Sequence, residues 1–191
     1  MTSKELESTI DAAANAVTSL HAVSAEVLRA ADALVNTLKA GCKVLAAGNG
    51  GSAAEAMHLA EELSGRYKLN RRALPGIALC ADGTALTCIG NDYGFDNVFS
   101  RQVEAFGREG DLLVLFSSSG NSQNLLAAVR AARAGGLRII SLLGHGGGAM
   151  QGLSDIEIIV AADANAHIQE AHQVVLHAML ECVDAEFVKE Q

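Results

Sequence analysis

Short apolar runs that end in glycine or serine, each followed by a stretch with helical spacing, recur through this chain and leave it few folds to adopt. Val44-Leu-Ala-Ala47 runs into Gly48, Asp111-Leu-Leu-Val-Leu-Phe116 into Ser117, and Leu137–Leu143 into Gly144; Gly76-Ile-Ala-Leu-Cys80 and Ile156–Val160 complete the set. Continuous apolar runs of this length read as strands buried on both faces. Residues 52–64, 84–90, 95–106, 122–134 and 167–189 read as helices, with Gly135-Gly136 stopping the fourth. Strands alternating with helices predict an α/β fold: a parallel sheet covered on both faces. In such sheets ligands bind beyond the carboxyl ends of the strands, where strand order reverses. Two loops rich in glycine and serine sit at such ends.

Ahead of the first strand, residues 3 to about 39 carry helical spacing, and Thr2 with Glu5 has the pattern of a capping box. The 191 residues predict one domain: residues 1–40 as an N-terminal helical segment, 41–191 as the α/β core with a C-terminal helix. Half the chain is hydrophobic while tryptophan is absent, so aliphatic side chains fill the core. A net charge of −8 disfavours nucleic acid and membrane surfaces as partners, and any bound phosphate must be met by backbone N–H groups and hydroxyls. Cys42, Cys80, Cys88 and Cys182 are scattered with no CxxC pair, and read as reduced core thiols. With no apolar leader and no run long enough to span a bilayer, the expected location is the cytoplasm.

Gly48-Asn49-Gly50-Gly51-Ser52 joins a strand to a helix, with glycines that let the backbone approach an anion at the helix start. It lacks the GxGxxG order of a dinucleotide site. Ser117-Ser118-Ser119-Gly120-Asn121-Ser122 repeats the arrangement after the third strand, and its hydroxyls can hold phosphate oxygens without a lysine. The plain alternative is capping of the next helix. Two stripes carry the remaining chemistry. His58 and Glu62 share one helix face, as do Gln169, Gln173 and His177, with His172 beside them. Brought together they would offer imidazole, carboxylate and amide to a metal or a proton. Asn91-Asp92 could bond sugar hydroxyls or cap a helix starting at 95. Arg66, Lys68, Arg71 and Arg72 form a basic run, most simply solvated surface, that could also draw an anionic substrate inward against the net negative charge.

These motifs, in this order, resemble the sugar isomerase (SIS) domain family, and within it the phosphoheptose isomerases. The resemblance rests on 48–52, Met57-His-Leu-Ala-Glu-Glu-Leu63, Gly90-Asn-Asp-Tyr-Gly94, Phe99-Ser-Arg-Gln-Val103, Gly110-Asp111, 117–122 and Ile168-Gln-Glu-Ala-His172, and runs nearly end to end. It implies a flavodoxin-like three-layer fold with a five-stranded parallel sheet and an N-terminal helical hairpin, assembled as a homotetramer with sites at subunit contacts. The implied reaction converts sedoheptulose 7-phosphate into D-glycero-D-manno-heptose 7-phosphate, the first step towards activated heptose for lipopolysaccharide and other surface glycans. Glu62 and His177 match the acid/base pair. Asn49, Gly50, Gly51, Ser52, Glu62, Asn91, Asp92, Ser117, Ser118, Ser119, Ser122 and Gln169 match substrate positions. His58, Glu62, Gln169 and His177 match zinc positions, one ion per subunit. Glutamine is an unusual zinc ligand, so partial occupancy is expected.

The chain departs from the family's pattern at Ala166-His167, where an acidic residue and an arginine are usual, and in a slightly enlarged loop at Ala81-Asp82-Gly83. Three other functions compete: a non-catalytic SIS protein that binds the replication initiator, a sugar-phosphate-sensing regulator, and an isomerase of another sugar phosphate. The first lacks the catalytic Glu and the last-helix His that are present here. The second needs a DNA-binding domain for which the length leaves no room.

Overall fold

A computed structural model describes residues 1–188. Five parallel strands, β1 (Val44–Gly48), β2 (Gly76–Ala78), β3 (Leu112–Ser117), β4 (Arg138–Leu143) and β5 (Ile156–Ile159), lie in the order β2-β1-β3-β4-β5. The chain steps outward from β1 to β2, then crosses to the other side of β1 for β3. Strand order therefore reverses between β1 and β3, where Gly48 pairs with Phe116, one residue before Ser117. The two Gly/Ser loops leave the sheet at this crevice.

The helices are α1 (Ser3–Thr18), α2 (Ser24–Lys39), α3 (Gly51–Ser64), α4 (Gly83–Tyr93), α5 (Ser100–Phe106), α6 (Gln123–Ala134) and α7 (Asn165–Phe187). Alternation along the strands sorts the core into two layers. Leu112, Val114 and Phe116 of β3 face α2, α3 and α7 through Leu34, Leu59 and Val175, whereas Leu113 and Leu115 face α5 and α6 through Val103 and Leu125. Fully burying one such leucine contributes about 1.5–3 kcal/mol. The layers therefore hold α3 and α7 on one face of the sheet and fix how they meet.

The expected N-terminal helices are present, and the capping box forms: Thr2 Oγ1 accepts from Glu5 N at 3.3 Å and Glu5 Oε2 from Thr2 N at 2.6 Å. They are not one continuous helix, because Ser19–Val23 tightens into a 3-10 turn and Val23 leaves the helical region at φ −116°, ψ 20°. Both arms pack on α7. The expected helix at 95–106 is split: Phe95–Asn97 forms a 3-10 turn and α5 begins at Ser100, with Val98 and Phe99 buried at the break. Asn91 and Asp92 lie inside the last turn of α4, so they do not cap the segment from 95. Asp82, in the loop at 81–83, does cap a helix, accepting from Thr84 N and Ala85 N at the start of α4. The last helix begins at Asn165 and is described to Phe187, and its expected end at 189 lies outside the described residues. The cysteines are free but not core residues: Cys42, Cys80 and Cys182 are half-buried and Cys88 is exposed.

Candidate active site

The crevice between β1 and β3 holds a cleft of about 100 Å³ lined by Asn49, Ser52, Ser117, Ser118, Ser119, Ser122 and Phe116. Asn49 and Asn124 exchange side-chain hydrogen bonds at 3.0 and 2.9 Å, tying the two loops together across it. Ser117 Oγ accepts from Gly120 N at 3.0 Å and Ser119 Oγ from Asn121 N at 3.2 Å, so each hydroxyl proton remains available. Ser122 stands at the start of α6 without any side-chain capping bond. Its hydroxyl is not serving the helix, which favours the ligand reading over the capping one. The N-termini of α3 and α6 both open here and direct partial positive charge at an anion. Among the described residues no basic side chain lines the cleft. Behind it, Gly120 sits at φ +64°, and a Cβ there would run into the Gly147 carbonyl. Only glycine fits at that position. The Gly144–Gly148 segment thus supports the serine loop, with Met150 N donating to Gly120 O and Ala149 N to Asn121 Oδ1, both at 2.9 Å.

From this cleft, α3 and α7 run side by side and meet through a ladder of polar rungs. At the first rung Gly51 faces Gln169, and a Cβ on Gly51 would lie 2.5 Å from Gln169 Nε2. The second pairs Glu55 with His172, both buried, at 3.6 Å. His172 Nε2 lies 3.4 Å from Leu143 O, and neither Glu55 oxygen has a hydrogen-bond partner. At the third, His58 Nδ1 is 2.9 Å from Gln173 Oε1. An amide oxygen only accepts, so Nδ1 donates to it. The fourth brings together Glu62 and His177: His58 Nε2 lies 3.3 Å from Glu62 Oε1, and the His58 and His177 rings meet edge to face at 5.3 Å. Tyr67 stacks on His177, centroids 5.6 Å apart and planes 24° from parallel. Burial, reinforced by the neighbouring His58, lowers the His177 pKa below the ordinary histidine value, against a smaller opposing pull from Glu62.

His58 Nε2 and Glu62 Oε1 face each other at 3.3 Å, a separation that a shared proton or a metal ion can bridge. His58, Glu61 and Glu62 place one ligand atom each within 4.8 Å of one another. The donors therefore suit a metal at this rung, with His177 adjacent. Gln169 is not part of that group within one chain. It precedes His177 by two helical turns, about 12 Å along α7, and sits at the first rung.

Asn91 and Asp92 are exposed on α4, where Asn91 Nδ2 donates to Asp92 Oδ1 at 2.8 Å, outside the cleft and the ladder. His167 bonds Glu170 at 2.8 Å and lines a groove against α1. The basic run is divided. Arg66, Lys68 and Arg72 are exposed, but Arg71 is buried against Asp184, which corrects its reading as solvated surface. Reasoning from sequence missed Tyr67 and Asn124. Asn124 carried a faint signal as a polar residue on the apolar face of an amphipathic helix. Tyr67 carried none, since loop geometry brings it to His177.

A parallel sheet of this order with two serine/glycine loops at its switch point is the build of a SIS domain, and the SIS-domain family matches residues 4–144. The chain is 53% identical over 154 residues to the phosphoheptose isomerase of Campylobacter concisus, covering 81% of this chain and 82% of that one. It is 51% identical over 164 residues to that of Yersinia pestis, covering 85% and 84%. The solved phosphoheptose isomerase of Francisella tularensis superposes with a TM-score of 0.93 at 37% identity, covering 97% of this chain and all of that one, 100%. The chain belongs to the phosphoheptose isomerase family.

Proposed function

We propose that this chain is an aldose–ketose isomerase that converts sedoheptulose 7-phosphate into D-glycero-D-manno-heptose 7-phosphate, using Glu62 and His177 as its acid/base pair. Beside the family relationship, one observation carries the reading. A cleft lined by five serines, Asn49 and Phe116, with two helix N-termini opening into it, lies at one end of the α3–α7 ladder, and a carboxylate with a neutral-favouring imidazole lies at the other. The cleft is phosphate-sized and the pair can move protons.

The reaction takes the proton from C1 of the ketose and delivers a proton to C2, while the C2 oxygen gains a proton and the C1 oxygen loses one. A cis-enediol stands between. Glu62, or His177 in its neutral form, accepts the carbon-bound proton, and the other serves the oxygens. Ser52, Ser117, Ser118, Ser119 and Ser122 with the N–H groups of Gly50 and Gly51 hold the phosphate, and Asn49 positions the sugar. Asn91 and Asp92 are kept as contacts to sugar hydroxyls on the strength of the family motif. Zinc held by His58, Glu62, His177 and Gln169 would polarise the carbonyl oxygen.

The geometry favours sites shared between copies. Ser52 and Glu62 are ten residues apart on α3, about 15 Å along the axis, which is long for a heptose phosphate. Gln169 and His177 are likewise too far apart to hold one ion from a single chain. A homotetramer in which one copy's cleft and Gln169 face another copy's Glu62 and His177 resolves both separations. An apolar groove of about 430 Å³ lined by Val17, Leu20, Val27, Leu28, Val174 and Ala178, with Ile10 exposed nearby in sequence on α1, offers the face for a second copy. Among the described residues no helix is long and apolar enough to cross a membrane. The unpaired cysteines support a reducing, cytoplasmic setting.

The test is turnover of sedoheptulose 7-phosphate by the purified protein beside Glu62→Gln and His177→Gln, with and without zinc. Loss in both folded variants is expected. No turnover by folded wild-type protein supplied with zinc would redirect the assignment to another sugar phosphate or to a binding protein.

A further inference from the structure

Beyond the last rung of the ladder, a buried ion pair gathers the pieces of backbone that carry it. Arg71 and Asp184 are both buried although both are charged. Asp184 follows His177 by two turns of α7, on the same face. Its Oδ1 accepts from Arg71 Nε at 3.0 Å, and its Oδ2 accepts from the backbone N–H groups of Lys68 and Leu69, each at 2.9 Å. The guanidinium then reaches back to the end of α3. Nη1 donates to the carbonyls of Leu63 at 3.0 Å and Arg72 at 3.1 Å, and Nη2 to the carbonyl of Glu62 at 2.6 Å. Carbonyls in a helix's last turn have no partner within the helix; the fork supplies one to Glu62 and a second donor to Leu63, whose carbonyl also accepts from Leu74 N at 3.0 Å.

One carboxylate and one guanidinium thus fix three segments: the end of α3 with Glu62, the loop after it with Tyr67, and α7 with His177. Stability alone does not require this device, since well-packed apolar residues commonly replace a buried ion pair without loss. Apolar residues cannot bind carbonyls and N–H groups at set angles. We propose that Arg71 and Asp184 are positioning residues of the isomerase, setting the separation of Glu62 from His177 and seating Tyr67 on the His177 ring. The inference rests on the assignment of Glu62 and His177 as the acid/base pair, and neither Arg71 nor Asp184 touches substrate.

The double variant Arg71→Met/Asp184→Leu removes both charges together and strands neither. Its thermal midpoint is expected to fall, because the Glu62 carbonyl and the Lys68 and Leu69 N–H groups lose these partners, while in the folded protein kcat for sedoheptulose 7-phosphate falls about tenfold or more, because an ångström of misplacement is costly to proton transfer. KM stays within about twofold, since the phosphate cleft lies at the other end of α3. Arg71→Lys keeps the charge but loses the planar fork, and the same split is expected of it if the double variant does not fold. Wild-type kcat in either folded variant would overturn the proposal. A readout independent of turnover is the ring-current shift of the His177 imidazole protons beneath Tyr67, followed by NMR on histidine-labelled protein. Its loss in the folded variants is expected, and its persistence would overturn the proposal. Should wild-type protein fail to turn over sedoheptulose 7-phosphate, the activity assignment fails by itself and the ring-current comparison still decides whether the pair seats Tyr67.

Discussion

Ser122→Ala separates the two things a serine can do at the start of a helix. If Ser122 capped α6, its loss would cost about 1 kcal/mol, which for a chain of this size lowers Tm by roughly 2–4 °C. The structure gives its side chain no capping bond, and the helix contacts at this residue run through its backbone carbonyl to Leu125 N and Leu126 N, which alanine keeps. The stability change should therefore stay within about 0.5 kcal/mol. A hydroxyl donating to a phosphate oxygen makes a charge-assisted bond worth about 1.5–3 kcal/mol. At about 1.4 kcal/mol per decade its loss lowers kcat/KM about 10- to 150-fold. Most of that should appear in KM, because the phosphate is remote from the reacting carbons. Steady-state kinetics on sedoheptulose 7-phosphate and a thermal melt of the same preparation give both numbers. A lowered Tm with unchanged KM would refute the assignment of this hydroxyl to the phosphate.

The same geometry sets four more expectations. With His177 as the base that takes the carbon-bound proton, its lowered pKa places the acid limb of kcat/KM below the ordinary histidine value of 6.5, and a limb above it would contradict that role for the ring. The same depression means that the unfolded chain binds the proton first, so stability, measured by denaturant unfolding, should fall as pH drops below 6.5 through the folded-state pKa. His172→Leu removes the polar side chain that faces the buried Glu55 carboxyl and should cost about 3–5 kcal/mol of unfolding free energy, whereas a change under about 1 kcal/mol would mean that the contact does not hold the two helices together. If sites are shared between copies, refolding Glu62→Gln together with a variant disabled in the serine loop should restore activity at about one quarter of the sites, and a site confined to one chain would restore none.

The sheet, its helices and both loops were legible in the sequence because each depends on local signals: apolar runs of strand length, glycine at strand ends, serine at helix starts. The two stripes were legible because helical spacing alone puts His58 with Glu62 and Gln173 with His177. Their meeting was not, since it depends on how α3 and α7 cross on the sheet. The crossing pairs His58 with Gln173 and leaves Gln169 opposite Gly51. Arg71 looked like surface because its neighbours in the run are surface, and its partner Asp184 lies 113 residues away. The break at Ser19–Val23 was hidden in a stretch whose spacing is helical throughout.

The most direct test of the central claim is conversion of sedoheptulose 7-phosphate by the zinc-supplied wild-type protein in D2O, with the product read by NMR. An enediol formed through exchangeable side chains predicts D-glycero-D-manno-heptose 7-phosphate carrying deuterium at C2. Retention of the original C1 hydrogen at C2 would mean return of the same proton by one shielded base or a hydride shift, and no conversion would contradict the isomerase itself.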